Sequence, residues 1–192
     1  LSNSDHTARF LSRKLCVHFI ADKPSKQDLN HVYGAWKDSG GDLNVVHEVL
    51  LHRAALSTKP KFQWPFTWLV TVLRVSKANL VEGFDNLHKE IYSHRGEYRV
   101  QKLAEEIGQD FWSRRQPDGF SLQSADWISP EHFERRMRLA AMIHDHGKPS
   151  LLAEDLMDLL EVSKGTRTLV GKGRTNRDRF ILLTCSSEFM GA

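Results

Sequence analysis

The chain has 192 residues, of which 40% are apolar and 27% are charged, and its formal net charge is +3. This length and balance disfavour wholesale disorder and are typical of one globular domain or a compact pair of subdomains. The charge is too small to indicate a nucleic-acid partner, and no apolar run approaches the ~18 residues that a membrane span needs.

Helical periodicity recurs in the first third of the chain, where strand alternation is scarce. Ser4 or Asp5 can cap a first helix, Ser25 a second and Asp42 a third. The apolar stripes predicted to face a core are Ala8, Leu11, Leu15 and Phe19, then Leu29, Val32, Tyr33 and Trp36, then Val46, Val49, Leu50 and Ala54.

The later elements follow the same pattern, with one long interruption. Pro65 fits the first position of a fourth helix, and a longer helical segment covers about residues 81–107. Residues 108–128 show no period and form an aromatic-rich loop, whereas the basic, Gly-rich segment 164–177 is predicted to be mobile. Three more helices are predicted. The first is capped by Ser129 and has Pro130 in its first position, and the others cover residues 151–160 and 177–189.

These elements predict one all-α domain over residues 1–192, an irregular bundle of about eight helices with a long aromatic-rich loop. Because the chain starts at Leu1 instead of Met, we expect a fragment of a longer protein. Cys16 and Cys185 lie in apolar helical patterns, which favours two buried free thiols over a disulfide bridge.

The stretch LAAMIHDHGKP, residues 139–149, contains a His-Asp pair like that of HD-type metal phosphohydrolases. Such chemistry needs another His from an earlier helix, and His132 lies only twelve residues before His144, apparently on the same helix. Gly147 and Pro149 instead indicate a helix end, where histidines meet the negative end of the helix dipole. We therefore predict that His144 and Asp145 bind no metal.

The other motifs of the sequence do not indicate a particular reaction. No two of the ten histidines stand three or four residues apart, which is the spacing of many helical metal sites. VGKGRTNR has a G-x-G but lacks the rest of a phosphate-binding motif. We predict no cofactor and no metal.

Several segments together resemble one family, the bacterial domain of unknown function number 1800. Five segments match its motifs in order, with Thr67 and Ser187 as departures from the family pattern. They are TARFLSRKLCVHF, WPFTWLVTVLR, IGQDFWSRRQPDGF, ADWISPEHFERRM and LLTCSSEFM. Each motif is weak alone, and the resemblance covers the C-terminal part of the family's length. Because family members are commonly exported and carry no established activity, the resemblance implies an extracytoplasmic location and leaves the reaction open.

Two groups of residues are candidates for a site. Lys14 and His18 are adjacent on the first helix, since four residues separate them. They form either a solvated basic face with a local His18–Asp22 pair or an anion site. We predict an anion site, while Arg9 has a structural role on another face. The predicted ligand-binding set is Lys14, His18, Gln109, Asp118 and Arg136.

The aromatic residues of loop 108–128 allow two interpretations. They either fix the loop to the bundle or form a ligand groove in which sugars could stack. We predict that Trp112, Phe120 and Trp127 anchor the loop. Arg74 and Arg136 are predicted to be structural, through ion pairs or by capping loop carbonyls.

The sequence favours a non-catalytic binding or interaction module of a larger exported protein. The alternatives are a hydrolase whose site is shared with a missing N-terminal half, and an HD-like metal phosphohydrolase using His144 and Asp145. The expected partners are the rest of the longer chain and a protein, anionic or carbohydrate ligand, without nucleic acid or a membrane span.

Overall fold

The structure, a computed structural model, describes residues 4–57, 61–78, 99–111 and 119–191. These residues contain α-helices and one 3-10 turn, Ser124–Asp126, but no strand, so the predicted all-α class is confirmed. The helices are α1 Asp5–Phe19, α2 Lys26–Asp38, α3 Leu43–Ala55, α4 Pro65–Ser76, α5 Arg99–Glu106, α6 Pro130–Gly147, α7 Ala153–Leu159, α8 Lys164–Val170, α9 Asn176–Thr184 and α10 Ser187–Met190.

The chain divides into two compact units. The first comprises Leu1–Phe62 together with Ser121–Ser124, and the second comprises Gln63–Phe120 together with Ala125–Ala192. The single domain expected from the chain length stays a prediction.

In the first unit, α1, α2 and α3 pack against one another in pairs. Each helix begins where its sequence predicts, because a local side chain accepts a hydrogen bond from an exposed backbone N–H. Ser4 accepts from Thr7 at 3.2 Å, and Asp42 accepts from Asn44 at 2.8 Å. Ser25 forms a reciprocal capping box with Asp28.

The core of this unit confirms the predicted stripes of α2 and α3 at their central positions. Val32, Val46 and Leu50 are fully buried and Trp36 nearly so. Leu29, Tyr33, Val49 and Ala54 are partly buried and pack against this core.

The predicted stripe of α1 is confirmed in part. Ala8 is buried, and Leu11 and Leu15 are partly buried and pack against the same core. The most deeply buried line of this helix includes Ala8, Ser12 and Cys16, three small side chains four residues apart. Phe19, predicted to point inward, is 42% exposed, so that part of the prediction was wrong. Small residues let α1 approach its neighbours closely, and the larger Leu side chains are left at the edge of the contact.

In the second unit, α9 packs against α6, α7 and α8, and α4 packs against α6. Trp68 of α4 is fully buried, and its indole N–H donates to the carbonyl of Thr184 at 2.7 Å. The other large side chains buried here include Leu139, Ile143, Leu156, Phe180 and Leu183.

Two elements in this unit differ from the sequence predictions, and a third lies partly outside the described residues. Lys164–Val170, the first part of the segment 164–177 that was predicted to be mobile, is helical, because Ser163 caps it and Val170 is buried. The mobility of this segment stays a prediction. The single helix predicted over 177–189 is two helices, α9 and α10. Of the segment predicted over 81–107, residues 81–98 lie outside the described residues.

Cys16 and Cys185 are buried free thiols, as predicted. Burial raises the pKa of Cys16 to about 11 and that of Cys185 to about 12. Both thiols are therefore protonated and poorly nucleophilic at neutral pH.

Candidate functional site

An open groove of about 440 Å³ lies in the first unit, between α1 and α3. This volume falls within the roughly 300–1,000 Å³ that small-molecule sites occupy. Its apolar walls are Leu11, Leu15, Phe19, Trp36, Leu43 and Leu122, and its ionisable lining residues are Lys14, His18 and His47.

The packing of α1 explains why the groove exists. The line Ala8, Ser12 and Cys16 takes the core position, so the neighbouring apolar side chains Leu11 and Leu15 face the groove. Their spacing of four keeps them on one face of the helix. The groove therefore receives apolar side chains that the sequence pattern assigns to the core.

The opposite wall comes from the start of α3. Leu43, the first residue of that helix, is 53% exposed, and His47 lies one turn further along. Apolar surface that remains half exposed around a concave site is typical of a surface that another molecule covers.

A short strap, residues Ser121–Ser124, closes one side of the groove. Leu122 of this strap lines the groove. The backbone N–H of Ser124 donates to Asp22 at 2.7 Å, and Lys61 donates to the carbonyl of Leu122 at 3.3 Å. Asp22 and Lys61 also form an ion pair with each other. We call this arrangement the Asp22–Lys61 clamp.

The clamp sets the charge at this end of the groove. Burial opposes the ionisation of Asp22, but the hydrogen bonds from Lys61 and Ser124 outweigh burial and hold its pKa below the ordinary value. The pKa of His18 is lowered by burial and by the nearby positive charge of Lys61. His18 is therefore neutral at pH 7.

Two of the predicted ligand-binding residues, Lys14 and His18, lie together in this groove, and Leu122 places part of loop 108–128 beside them. Arg9 lies outside the groove lining: it pairs with Asp5 at 2.8 Å and its guanidinium lies 4.3 Å from the ring centroid of Tyr33. These contacts agree with the structural role predicted for Arg9.

Gln109 belongs to the second unit, where it is 4% exposed. Its side-chain oxygen accepts the backbone N–H of Phe66 at 2.9 Å. The residue at the N-cap of α4, Trp64, makes no capping hydrogen bond with its side chain. Gln109 thus satisfies one of the exposed N–H groups at the start of this helix.

Arg136 also belongs to the second unit and is 1% exposed. It donates to the backbone carbonyl of Gln63 at 2.8 Å, and its guanidinium lies 5.6 Å from the ring centroid of Trp68. Burial lowers its pKa to about 10, so it stays charged at neutral pH. Capping a loop carbonyl is one of the two structural roles predicted for this residue.

The complete predicted set is therefore divided. Lys14 and His18 belong to the first unit, whereas Gln109 and Arg136 belong to the second. Asp118 lies outside the described residues. A single site that combines all five stays a prediction.

The aromatic side chains of the loop contact one another. Phe120 lies between Phe111 and Trp127, with ring centroids 5.4 and 5.9 Å apart, and Trp127 lies 5.2 Å from the ring of His132. Trp127 is 7% exposed, in agreement with the expected burial. These contacts favour aromatics that fix the loop, although the anchoring role itself stays a prediction. Trp112 lies outside the described residues.

The His-Asp pair near the end of α6 has protein partners. His144 and Asp145 are 3.1 Å apart, and Arg177 donates to both carboxylate oxygens of Asp145 at 2.9 and 3.0 Å. The helix ends at Gly147, and Lys148 takes the left-handed conformation just before Pro149. Gly147 was expected at that left-handed position, one residue too early.

Within the described ranges, no group of three or more His, Cys, Asp and Glu side chains is arranged to hold a metal ion. None of the helices in the described part of the chain combines the length and the apolar character needed to cross a membrane.

The described part of the chain is all-α and has an apolar groove whose volume falls in the range of small-molecule sites. The chain belongs to the family described as protein of unknown function (DUF1800), whose model matches residues 1–190. Searches of the curated proteins and of the solved structures gave no match.

Proposed function

We propose that the chain is a non-catalytic binding module and that the groove of the first unit holds the apolar part of its ligand. The observation that carries this proposal is the half-exposed apolar wall formed by Phe19 and Leu43 around a cavity of about 440 Å³. Each 100 Å² of apolar surface removed from water contributes about 2.5 kcal/mol. A ligand that covers this wall gains that contribution without displacing the core.

The chemistry of the lining residues supports binding over hydrolysis. A hydrolase site usually pairs a general base, most often His, with a Ser, Thr or Cys nucleophile, or uses a metal-bound water or a carboxylate. The lining residues that the structure describes include no Ser, Thr, Cys, Asp or Glu. The buried thiol of Cys16 is held protonated, so it does not supply a nucleophile to the nearby groove.

Titration with the neutral fluorescent dye N-phenylnaphthylamine tests the proposal. We expect saturable binding with one dye per chain. Leu43→Gln should weaken it by about tenfold, which corresponds to about 1.4 kcal/mol of lost apolar contact. Leu51→Gln is the matched control, because Leu51 is on the same helix and is 56% exposed but does not line the groove.

Two results would contradict this proposal. One is the absence of saturable dye binding to the folded protein. The other is an equal loss of affinity in both variants, because it would assign dye binding to exposed leucines in general.

The membership of this module in a larger exported protein is a separate proposal. Its support is the family resemblance alone, since exported members are common in that family. Fractionation of cells that produce the full-length protein tests it, and recovery in the cytoplasm alone would contradict it.

A further inference from the structure

We infer that the ligand of the groove is an anionic amphiphile, a small molecule with an aliphatic chain and a single carboxylate that lies beside Lys14. This inference rests on the proposed binding function and adds the chemical class of the ligand.

The ionisable side chains of the groove are basic. Among the residues that the structure describes, those that line it are Lys14, His18 and His47. They come from both walls, since α1 supplies the first two and α3 supplies His47. An anion is the charged group that such a lining accepts.

The ammonium group of Lys14 forms no ion pair with a described residue. Lys61, the other cation near His18, is already paired with Asp22 in the clamp. Among the described residues, no carboxylate lies within ion-pair distance of Lys14. Its ammonium group lies 5.2 Å from the ring centroid of Phe10, an exposed contact worth only about 0.5–1 kcal/mol. A carboxylate can replace that contact.

The positive charge at the groove is small. Lys14 supplies one full positive charge, while burial and the nearby Lys61 lower the pKa of His18, which therefore adds no net charge at pH 7. Such a lining matches a single carboxylate better than a multiply charged phosphate. Leu11 lies one turn before Lys14 on the same helix and Leu15 is the next residue, and both line the groove, so the aliphatic chain finds apolar walls next to the charged end.

The experiment displaces bound N-phenylnaphthylamine with three compounds that have similar chains and different charges: decanoate, decanol and decyltrimethylammonium. We expect decanoate to bind about five- to tenfold more tightly than decanol, the range for one partly exposed, hydrogen-bonded ion pair with Lys14. Decyltrimethylammonium should bind most weakly. The preference for decanoate should shrink as salt is added.

Variants of α1 test whether Lys14 is the cation that causes the preference for decanoate. Lys14→Gln should abolish the preference for decanoate and leave the affinity for decanol unchanged, whereas Lys14→Arg should retain the preference. Arg13→Gln is the matched control, because Arg13 is the adjacent exposed cation of the same helix and does not line the groove.

The outcomes separate this inference from the proposed function. Equal affinities for decanoate and decanol in the unmodified protein, or a preference that survives in Lys14→Gln, would overturn the inference while the groove remains a binding site. Failure of the dye to bind, or of all three compounds to displace it, would overturn the proposed function itself.

Discussion

Replacement of Trp127 by Ala tests how the aromatic loop is held. Trp127 is 7% exposed, and its ring packs near Phe120 and His132. It lies two residues before Ser129, the N-cap of α6, and contacts the third residue of that helix. The substitution therefore empties a large buried site at the point where the loop meets the helix.

The expected loss of stability follows from this burial. A buried aromatic side chain removes about 150–250 Å² from water, which corresponds to an upper value of about 4–6 kcal/mol. Substitutions of Phe or Trp by Ala in protein cores cost about 3–5 kcal/mol, and we expect that range here. For a chain of this size, the midpoint of thermal unfolding should fall by about 6–20 °C.

Differential scanning calorimetry of the purified protein measures this change, with Ile128→Ala as the matched control. Ile128 is the next residue and is 57% exposed, so its loss should change stability by no more than about 0.5 kcal/mol. If Trp127→Ala lowered the midpoint no more than Ile128→Ala, the indole would not hold the loop. Stacking on a ligand would then be the better explanation of Trp127.

Two further predictions concern the clamp and a loop glycine. Asp22→Asn should lower the free energy of unfolding by about 1–3 kcal/mol at neutral pH, through loss of a charged hydrogen-bond acceptor. Because the pKa of Asp22 is lowered in the folded state, its contribution is present above about pH 4 and is lost as the pH falls through the folded pKa. Urea titrations should therefore converge for the two proteins in acid, and a difference independent of pH would contradict this role. Gly108→Ala should destabilise the protein more than Gly119→Ala, by thermal melting. Both glycines have positive φ, but an added Cβ would lie 2.9 Å from His132 at Gly108 and meets no described atom within 4 Å at Gly119. Equal losses would show that the backbone conformation alone sets the cost.

Helix starts could be predicted from the sequence because their cause is local. A capping side chain binds a backbone N–H two or three residues away, so a short stretch contains both partners. The capping residues of two helices can be recognised within a few residues of sequence: Ser25 with Asp28, and Ser129 before Pro130. Helix ends near 147 and 184 were less accurate, since burial decides how far a helix continues.

The most deeply buried line of α1 could not be predicted from the hydrophobicity of its residues. Two lines of residues start at Ala8: one continues through Leu11 and Leu15, the other through Ser12 and Cys16. Apolar character favours the first line, but close packing against α2 and α3 selects the small residues of the second. The regular spacing of these small side chains was the signal that could have identified the contact face and hence the groove.

The clamp could not be predicted either, because its partners are far apart in the chain. Asp22 binds Lys61 and the backbone of Ser124, which lie 39 and 102 residues further along. No local pattern contains these pairs. Lys14 and His18 were identified because they are neighbours on one helix, whereas Leu43 and His47, on the opposite wall, carried no local signal of a site.

The packing of α1 through its small side chains accounts for both the core and the groove of the first unit. Small side chains allow α1 to pack closely against its neighbours. The larger Leu11 and Leu15 lie at the edge of this contact, where the core only partly covers them. Leu122 covers part of this edge, and the clamp holds it there through the backbone of the strap. A side chain fixed through its backbone can remain in place whether the groove is empty or filled. The strap is therefore suited to act as a fixed wall against which a ligand packs.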